Sequence, residues 1–133
     1  IAPNRNLFCA VRIHGRFKKM HTRSVPRQQK PYPPLKDVTA RQPEFFMEDI
    51  EGDIAGFRCP DFVKGVNVPG YHLHFISSDR TRGGHILGFE LTEGTGEADL
   101  LNRFNLQLPE DAESFAEADL SKDRSAELNA VEK

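Results

Sequence analysis

The sequence predicts a mainly β fold, α+β overall, in which antiparallel hairpins are followed by short helices near the C-terminus. Runs of alternating apolar and polar residues extend to Thr92, and turn signals rich in glycine and proline separate them. After Thr92 the chain becomes more polar, with short stretches of helical character. At 133 residues and 15.0 kDa the chain has the size of one domain. We therefore expect one domain over residues 1–133, with a helical extension within it over 107–133.

The first elements are predicted to be two strands and a connector. Residues 6–15 alternate in the pattern of a strand that ends in a turn at Gly15, and Arg16 to Val25 fits a second strand. Val25 to Leu35 contains four prolines and must be extended, because each proline fixes φ and removes a donor. A short helix is expected from Leu35 to Arg41.

The middle of the chain predicts further hairpins. Phe45 to Ile50 and Ile54 to Pro60 flank Glu51-Gly52-Asp53, a sequence typical of a hairpin turn. Asn67-Val68-Pro69-Gly70 is a second turn signal. About six strands are therefore expected by residue 92. Both cysteines, Cys9 and Cys59, fit buried thiols, since they share no spacing motif.

The last third of the chain predicts a loop and helices. Glu93 to Glu97 carries two glycines and is expected to form a loop, and Ala98 to Leu106 fits either a strand or a helix. Pro109 to Leu120 is compatible with a helix. Ser121 is placed to cap a final helix from Lys122 to Val131.

The segment with the strongest functional signal contains three of the five histidines, His72, His74 and His85. Alternation puts His72 and His74 on one face of a strand, with Leu73 and Phe75 on the other. A turn near residues 79–81 would bring His85 opposite His74 or one diagonal step away. Three neutral nitrogen ligands on a hairpin are typical of a catalytic zinc site, which keeps one position open. The sequence therefore predicts a metal centre here, although a single strand histidine is usually only a hydrogen-bonded surface residue.

Charge is distributed unevenly along the chain. Residues 1–40 contain nine Lys or Arg and one acid, whereas residues 41–133 contain nine Lys or Arg and nineteen acids. Nucleic-acid binding is not expected, because no aromatic stacking pattern or recognition motif accompanies the basic third. The basic residues are expected to face either an anionic small molecule or the acidic remainder of the fold.

Membrane insertion is not expected either. No apolar run approaches the roughly 20 residues that span a bilayer, and the first residues lack the layout of a signal peptide. We expect a soluble, cytoplasmic protein, or a secreted one if a signal peptide lies upstream. Because Ile1 stands where an initiator Met would be, we expect these residues to be part of a longer chain.

Several segments together resemble the C-terminal half of bacterial α-acetolactate decarboxylase. The resemblance runs along nearly the whole chain, and the histidine block is its most specific part. The matching segments are AVRIHGRF, MHTRSVPRQQKPYPPL, GFRCPDF, NVPGYHLHFISSDRTRGGHILGFEL and the terminal VEK.

This resemblance implies a two-domain fold whose C-terminal part is an antiparallel barrel. It also implies conversion of 2-acetolactate to acetoin and carbon dioxide, with Zn²⁺ held outside the barrel by His72, His74 and His85. The full-length family is expected to form homodimers, with 2-acetolactate as a small-molecule substrate and no cofactor besides the metal.

The resemblance further implies two catalytic residues, Arg23 in MHTRSVP and Glu132 in AVEK, with Glu127 as the alternative to Glu132. From composition alone, Arg23 is a surface cation and Glu132 a frayed terminal residue. The family's N-terminal half supplies another active-site glutamate, so these 133 residues alone are expected to bind zinc but to decarboxylate slowly. Gly88 stands where the family often has Asp.

Two alternative functions remain open at this point. A His-x-His pair with a third histidine on a neighbouring strand also holds zinc in zinc-hydroxide hydratases and hydrolases. The other alternative is a non-catalytic metal-binding module. Release of carbon dioxide from acetolactate distinguishes the decarboxylase from both.

Overall fold

The computed structural model describes residues 4–110, 113–126 and 128, and their architecture is mainly antiparallel β. Every strand pair is antiparallel, and the sheet closes on itself in the order β1-β2-β3-β4. The barrel is irregular, because β3 and β4 join through only three residue pairs. The predicted fold class is confirmed. The strands are β1 Phe8–Arg23, β2 Glu44–Cys59, β3 Gly70–Ser77 and β4 Gly83–Leu101; the helices are α1 Leu35–Thr39 and α2 Glu113–Ala116, with a 3-10 turn at Asp61–Val63.

The strands are longer and fewer than predicted. The expected turns at Gly15 and at Glu51-Gly52-Asp53 are wrong, since β1 and β2 run straight through them. The expected loop from Glu93 to Glu97 is also wrong, because β4 continues to Leu101. Four strands are described where about six were predicted.

Three glycines explain these errors. Gly15 pairs with Gly52 on one side and with Gly94 on the other, so the three lie in one row across the sheet. A Cβ on Gly15 would lie 2.3 Å from the carbonyl oxygen of Glu93, and one on Gly52 would lie 2.6 Å from the Phe75 ring. These glycines therefore permit the close approach of neighbouring strands. Such an approach is a common reason for a glycine inside a strand.

The core lies inside the barrel and follows the alternation of β1 and β2. Phe17 and Ile54 are fully buried, and the Phe17 ring meets those of Phe75 and Phe89 edge-to-face at 5.5 and 5.7 Å between centroids. Burial of such side chains removes apolar area from water and is the main source of stability. The buried cluster comprises Phe17, Met20, Met47, Ile50, Ile54 and Phe75.

The uneven charge of the chain is balanced within the sheet. Strand β1 carries cations on its outer face and lies between β2 and β4, which carry acids. Arg12 lies 3.3 Å from Asp53, and Lys18 lies 3.3 Å from Glu90. The expectation that the basic third faces the acidic remainder of the fold agrees with these pairs.

The connecting segments mostly have the structure that the sequence predicted. Residues 24–34 form no regular structure, and α1 follows Pro34. Cys9 and Cys59 are both buried free thiols, as expected. Among the described residues, no helix has the length and apolar character needed to cross a membrane.

The C-terminal segment is less helical than predicted. Of the helix expected from Pro109 to Leu120, only α2 is formed in the described part. Ser121 donates its hydroxyl to Asp119 at 2.6 Å, and Lys122 to Arg124 are not helical. In the rest of the predicted final helix, Ser125, Ala126 and Leu128 are helical, and the other residues lie outside the described part.

Candidate metal centre

The three histidines lie where strands β3 and β4 separate. The pairs that join these strands are Ile76 with Gly83, Phe75 with Gly84, and His74 with His85. The last pair marks the end of the seam, so His74 faces His85 directly, as the sequence predicted. Phe75 points to the opposite face and is 3% exposed in the core, which fixes the strand's orientation.

The imidazole rings converge on one point. Their centroids are 5.1 Å apart for His72 and His74, 4.7 Å for His72 and His85, and 5.3 Å for His74 and His85. One nitrogen from each ring lies within 4.8 Å of the others. The cluster is partly accessible to solvent, since His74 is exposed and the other two are half-buried. An arriving ion or small molecule can therefore reach it.

One pair of ring nitrogens lies near the spacing that a tetrahedral ion requires. The Nε2 atoms of His72 and His74 are 3.0 Å apart. Two ligands at the zinc–nitrogen distance of about 2.0–2.1 Å and a tetrahedral angle would be separated by about 3.3 Å. A cluster of neutral nitrogen donors is also the ligand type that zinc accepts. The residues present fit the metal that the sequence predicts.

Arg23 lies in the same row of the sheet as the histidines. It ends β1 and pairs with His85, which pairs in turn with His74. Directly paired residues of an antiparallel sheet share a face, so Arg23 lies on the histidine side. It is only 8% exposed, which excludes the surface-cation interpretation. An arginine paired with a histidine of this cluster is suited to holding an anionic group of a bound molecule.

Of the other positions singled out in the sequence, the structure describes Gly88 but neither glutamate. Glu132 and Glu127 lie outside the described residues. Gly88 pairs with His21 on β1, and a Cβ added there would meet no atom within 4 Å. The position accepts a side chain, so the glycine is not required by packing.

One polar pair near Arg23 was missed from the sequence. His21 Nε2 lies 2.7 Å from Glu44 Oε2, and the His21 ring stacks on Phe46 at 4.1 Å. Glu44 is paired with Arg23, which places this pair on the histidine face. Period-two spacing between His21 and Arg23 was the available signal, but the partner on β2 could not be known without the register.

The side-chain hydrogen bonds within the turn between β3 and β4 were also not predicted from the sequence. Asp79 accepts hydrogen bonds from the Ser77 hydroxyl at 2.6 Å and from the Thr81 hydroxyl and amide at 2.8 and 3.0 Å. These bonds lower the pKa of Asp79 to about 2. The alternating Ser-x-Asp-x-Thr pattern was visible in the sequence, where it predicted only a turn.

Comparison with known proteins gives one consistent result. Residues 1–122 match the model of a family described as alpha-acetolactate decarboxylase. The chain is similar to the alpha-acetolactate decarboxylase of Methanosarcina mazei, with 45% identity over 131 residues, which is 98% of this chain and 45% of that protein. It is also similar to that of Bacillus licheniformis, with 44% identity over 133 residues, covering 99% of this chain and 52% of the relative.

Solved structures agree with this result. The crystal structure of alpha-acetolactate decarboxylase from Bacillus subtilis strain 168 has a TM-score of 0.91 and 39% identity, covering 98% of this chain and 56% of that one. A Staphylococcus aureus protein of unknown function, described as similar to alpha-acetolactate decarboxylase, has a TM-score of 0.88 and 40% identity, covering 98% and 56%. The chain spans about half the length of the curated relatives it matches.

Proposed function

The chain belongs to the alpha-acetolactate decarboxylase family, and on that premise we propose that it forms the metal-binding part of an enzyme that converts 2-acetolactate to acetoin and carbon dioxide. The observation that carries the proposal is the row formed by His74, His85 and Arg23 across three strands. It would set a cation site beside the buried Arg23. A molecule with a ketone, a hydroxyl and a carboxylate on adjacent carbons matches both.

The reaction requires an electron sink. When the bond between the carboxylate and C2 of acetolactate breaks, its electron pair moves into the adjacent ketone, and the resulting enediol takes up a proton at C2. Zinc held by the three imidazoles would act as a Lewis acid toward the ketone and hydroxyl oxygens. The histidines would contribute by presenting their nitrogens from the β3–β4 hairpin, where His74 is exposed to solvent.

Arg23 would position the leaving carboxylate. Its planar guanidinium can donate two parallel hydrogen bonds to a carboxylate, which fixes the orientation of the bond to be broken. Burial of Arg23 supports this role, because a side chain held by packing loses little freedom when the substrate binds.

Glu132 is proposed to donate the proton to C2, or to bind the metal. The proposal depends on the match of the terminal Val131-Glu132-Lys133 to the family, with Glu127 as the alternative. Deletion of Glu132 and Lys133 tests it in a chain that otherwise turns over acetolactate. Unchanged turnover would transfer the role to Glu127 or remove it.

The metal is tested by replacing ligands and matched non-ligands. In His72→Ala and His74→Ala, zinc affinity should fall by more than the roughly 10–100-fold that follows loss of a group that only orients a metal ligand. Bound zinc measured by elemental analysis should therefore drop sharply. His14→Ala is the control, since His14 lies on β1 and contacts Asp53 at 3.3 Å. Full zinc occupancy in both ligand variants would disprove the centre.

Turnover is tested by measuring acetoin and carbon dioxide from acetolactate. Zinc binding together with product formation supports decarboxylation. Zinc binding with hydration or hydrolysis of other substrates instead would favour the hydratase or hydrolase alternative. Zinc binding without any turnover, even when the N-terminal half of a family member is supplied, would indicate a non-catalytic module.

A further inference from the structure

We propose that Asp79 is a positioning residue for the histidine centre, because its carboxylate fixes the turn that sets His85 opposite His74. The inference rests on the proposed metal site and deepens it. Asp79 lies five residues after His74 and six before His85, and its carboxylate accepts hydrogen bonds from Ser77 and Thr81. Its role would be exerted through the register of the hairpin.

The seam between β3 and β4 is too short to set its own register firmly. It consists of three residue pairs, and the one farthest from the turn contains His74 and His85. A slip of one residue would carry a side chain to the opposite face of the sheet. His85 would then leave His72 and His74, so the turn constrains the centre together with the pairing of β3 with β2 and of β4 with β1.

The turn is held by a network centred on one carboxylate oxygen. Asp79 Oδ1 accepts from the Ser77 hydroxyl, the Thr81 hydroxyl and the Thr81 amide. The Ser77 hydroxyl oxygen in turn accepts from the amide of Arg82 at 3.0 Å, and the Ser77 amide donates to the Arg82 carbonyl at 2.8 Å. Residues 77 and 82 are thereby locked across the base of the turn, one step before the seam.

Burial of Ser77 makes its part of this network difficult to replace with water. Ser77 is 2% exposed, so without Asp79 its hydroxyl would depend on the Arg82 carbonyl, 3.1 Å away, as its acceptor. The hydrogen bonds also lower the pKa of Asp79 to about 2, so the carboxylate stays ionised in any neutral zinc titration. The acceptor is therefore present whenever metal binding is measured.

The chain supplies a matched control. Asp119 accepts from the Ser121 amide at 3.1 Å and the Ser121 hydroxyl at 2.6 Å, the same local motif. Asp119, however, does not connect two strands that carry histidines. A purely local effect of losing such a carboxylate should be equal at both sites, whereas a positioning effect should appear only at Asp79.

The experiment measures zinc affinity and hairpin register in the 133-residue chain. In Asp79→Ala, zinc affinity at a temperature well below unfolding should fall roughly tenfold or more, the size of loss typical when the orientation of a metal ligand is disturbed. Asp79→Asn keeps an acceptor oxygen and should retain most of the affinity, and Asp119→Ala should match the parent. In metal-free protein, cross-strand NMR contacts between His74 and His85 should be lost or weakened in Asp79→Ala alone.

The outcomes separate this inference from the metal proposal. If the parent binds no zinc, the metal proposal is wrong. The cross-strand NMR contacts between His74 and His85 then test the role of Asp79 by themselves. Parent-like zinc affinity and intact His74–His85 contacts in a folded Asp79→Ala protein would overturn the inference. If Asp79→Ala does not fold, Thr81→Val removes one donor to Asp79, and unchanged affinity and contacts in that variant would overturn it instead.

Discussion

Strand β1 and the histidine hairpin of residues 70–85 are held in opposite ways. Strand β1 is paired along most of its length with β2 on one edge and with β4 on the other. Strand β3 is paired fully with β2, but it meets β4 at only three positions. The comparison indicates that stability resides in the long paired strands, while the candidate chemistry occurs where pairing ends and side chains can turn toward one another.

The largest loss of stability is expected when a buried aromatic ring is removed from β1. Phe17 is fully buried against Phe75 and Phe89. Phe17→Ala should lower the free energy of unfolding by about 3–5 kcal/mol, through lost burial and the cavity left behind. Phe57→Ala, at a position 51% exposed, is the control and should cost far less in denaturant unfolding. Equal losses would show that the barrel interior is not the main source of stability.

The next test separates chemistry from stability on the same strand. Arg23→Lys should reduce kcat/KM for acetolactate by roughly ten- to a hundredfold, the equivalent of a lost hydrogen bond to a charged group, while zinc content stays unchanged. Arg16→Lys is the matched control, because Arg16 lies on the exposed side of β1, 3.9 Å from Glu51. Parent-like turnover in Arg23→Lys would remove Arg23 from the mechanism.

A third test addresses the glycine row that lets β1 pass unbroken. Gly15→Ala would place a Cβ 2.3 Å from the Glu93 carbonyl oxygen and 2.9 Å from the Gly94 Cα. Forced separation of the strands should cost about 1–3 kcal/mol in unfolding free energy, as in other overpacked sites. Gly88→Ala, which meets no atom within 4 Å, should leave unfolding nearly unchanged. A neutral Gly15→Ala would mean that close approach is not what requires the glycine.

The smallest effect is expected from the charges between β1 and β4. Lys18 and Glu90 lie 3.3 Å apart, with side chains 61% and 52% exposed. A double-mutant cycle of Lys18→Ala and Glu90→Ala should give a coupling below about 1 kcal/mol that shrinks with added salt. A larger, salt-independent coupling would show that charge contributes more to β1 than its exposure suggests.

Local patterns predicted the hairpin correctly. Alternation placed His72 and His74 on one face, and the turn signal brought His85 opposite His74, because all three lie within fourteen residues of each other. The proline connector and α1 were predicted for the same reason. Each depends on neighbours in sequence, where propensity and period are informative.

Features that depend on distant parts of the chain could not be predicted in this way. Gly15 and Gly52 were interpreted as turns, because a glycine's packing role is visible only when the opposite strand is known. Burial of Arg23 likewise follows from its position between β2 and β4, and composition alone favoured a surface cation. The roles of Zn²⁺ and Glu132 stay predictions.

The sequence separation of the paired residues also has a kinetic consequence. The histidine hairpin is local and can form on the microsecond scale typical of hairpins, whereas Phe8 must find Leu101 before β1 and β4 are fully paired. Arg23 reaches His85 only in that later step. We therefore expect the refolding chain to assemble its histidine cluster first and to bring Arg23 beside it afterwards, as two separable events in time.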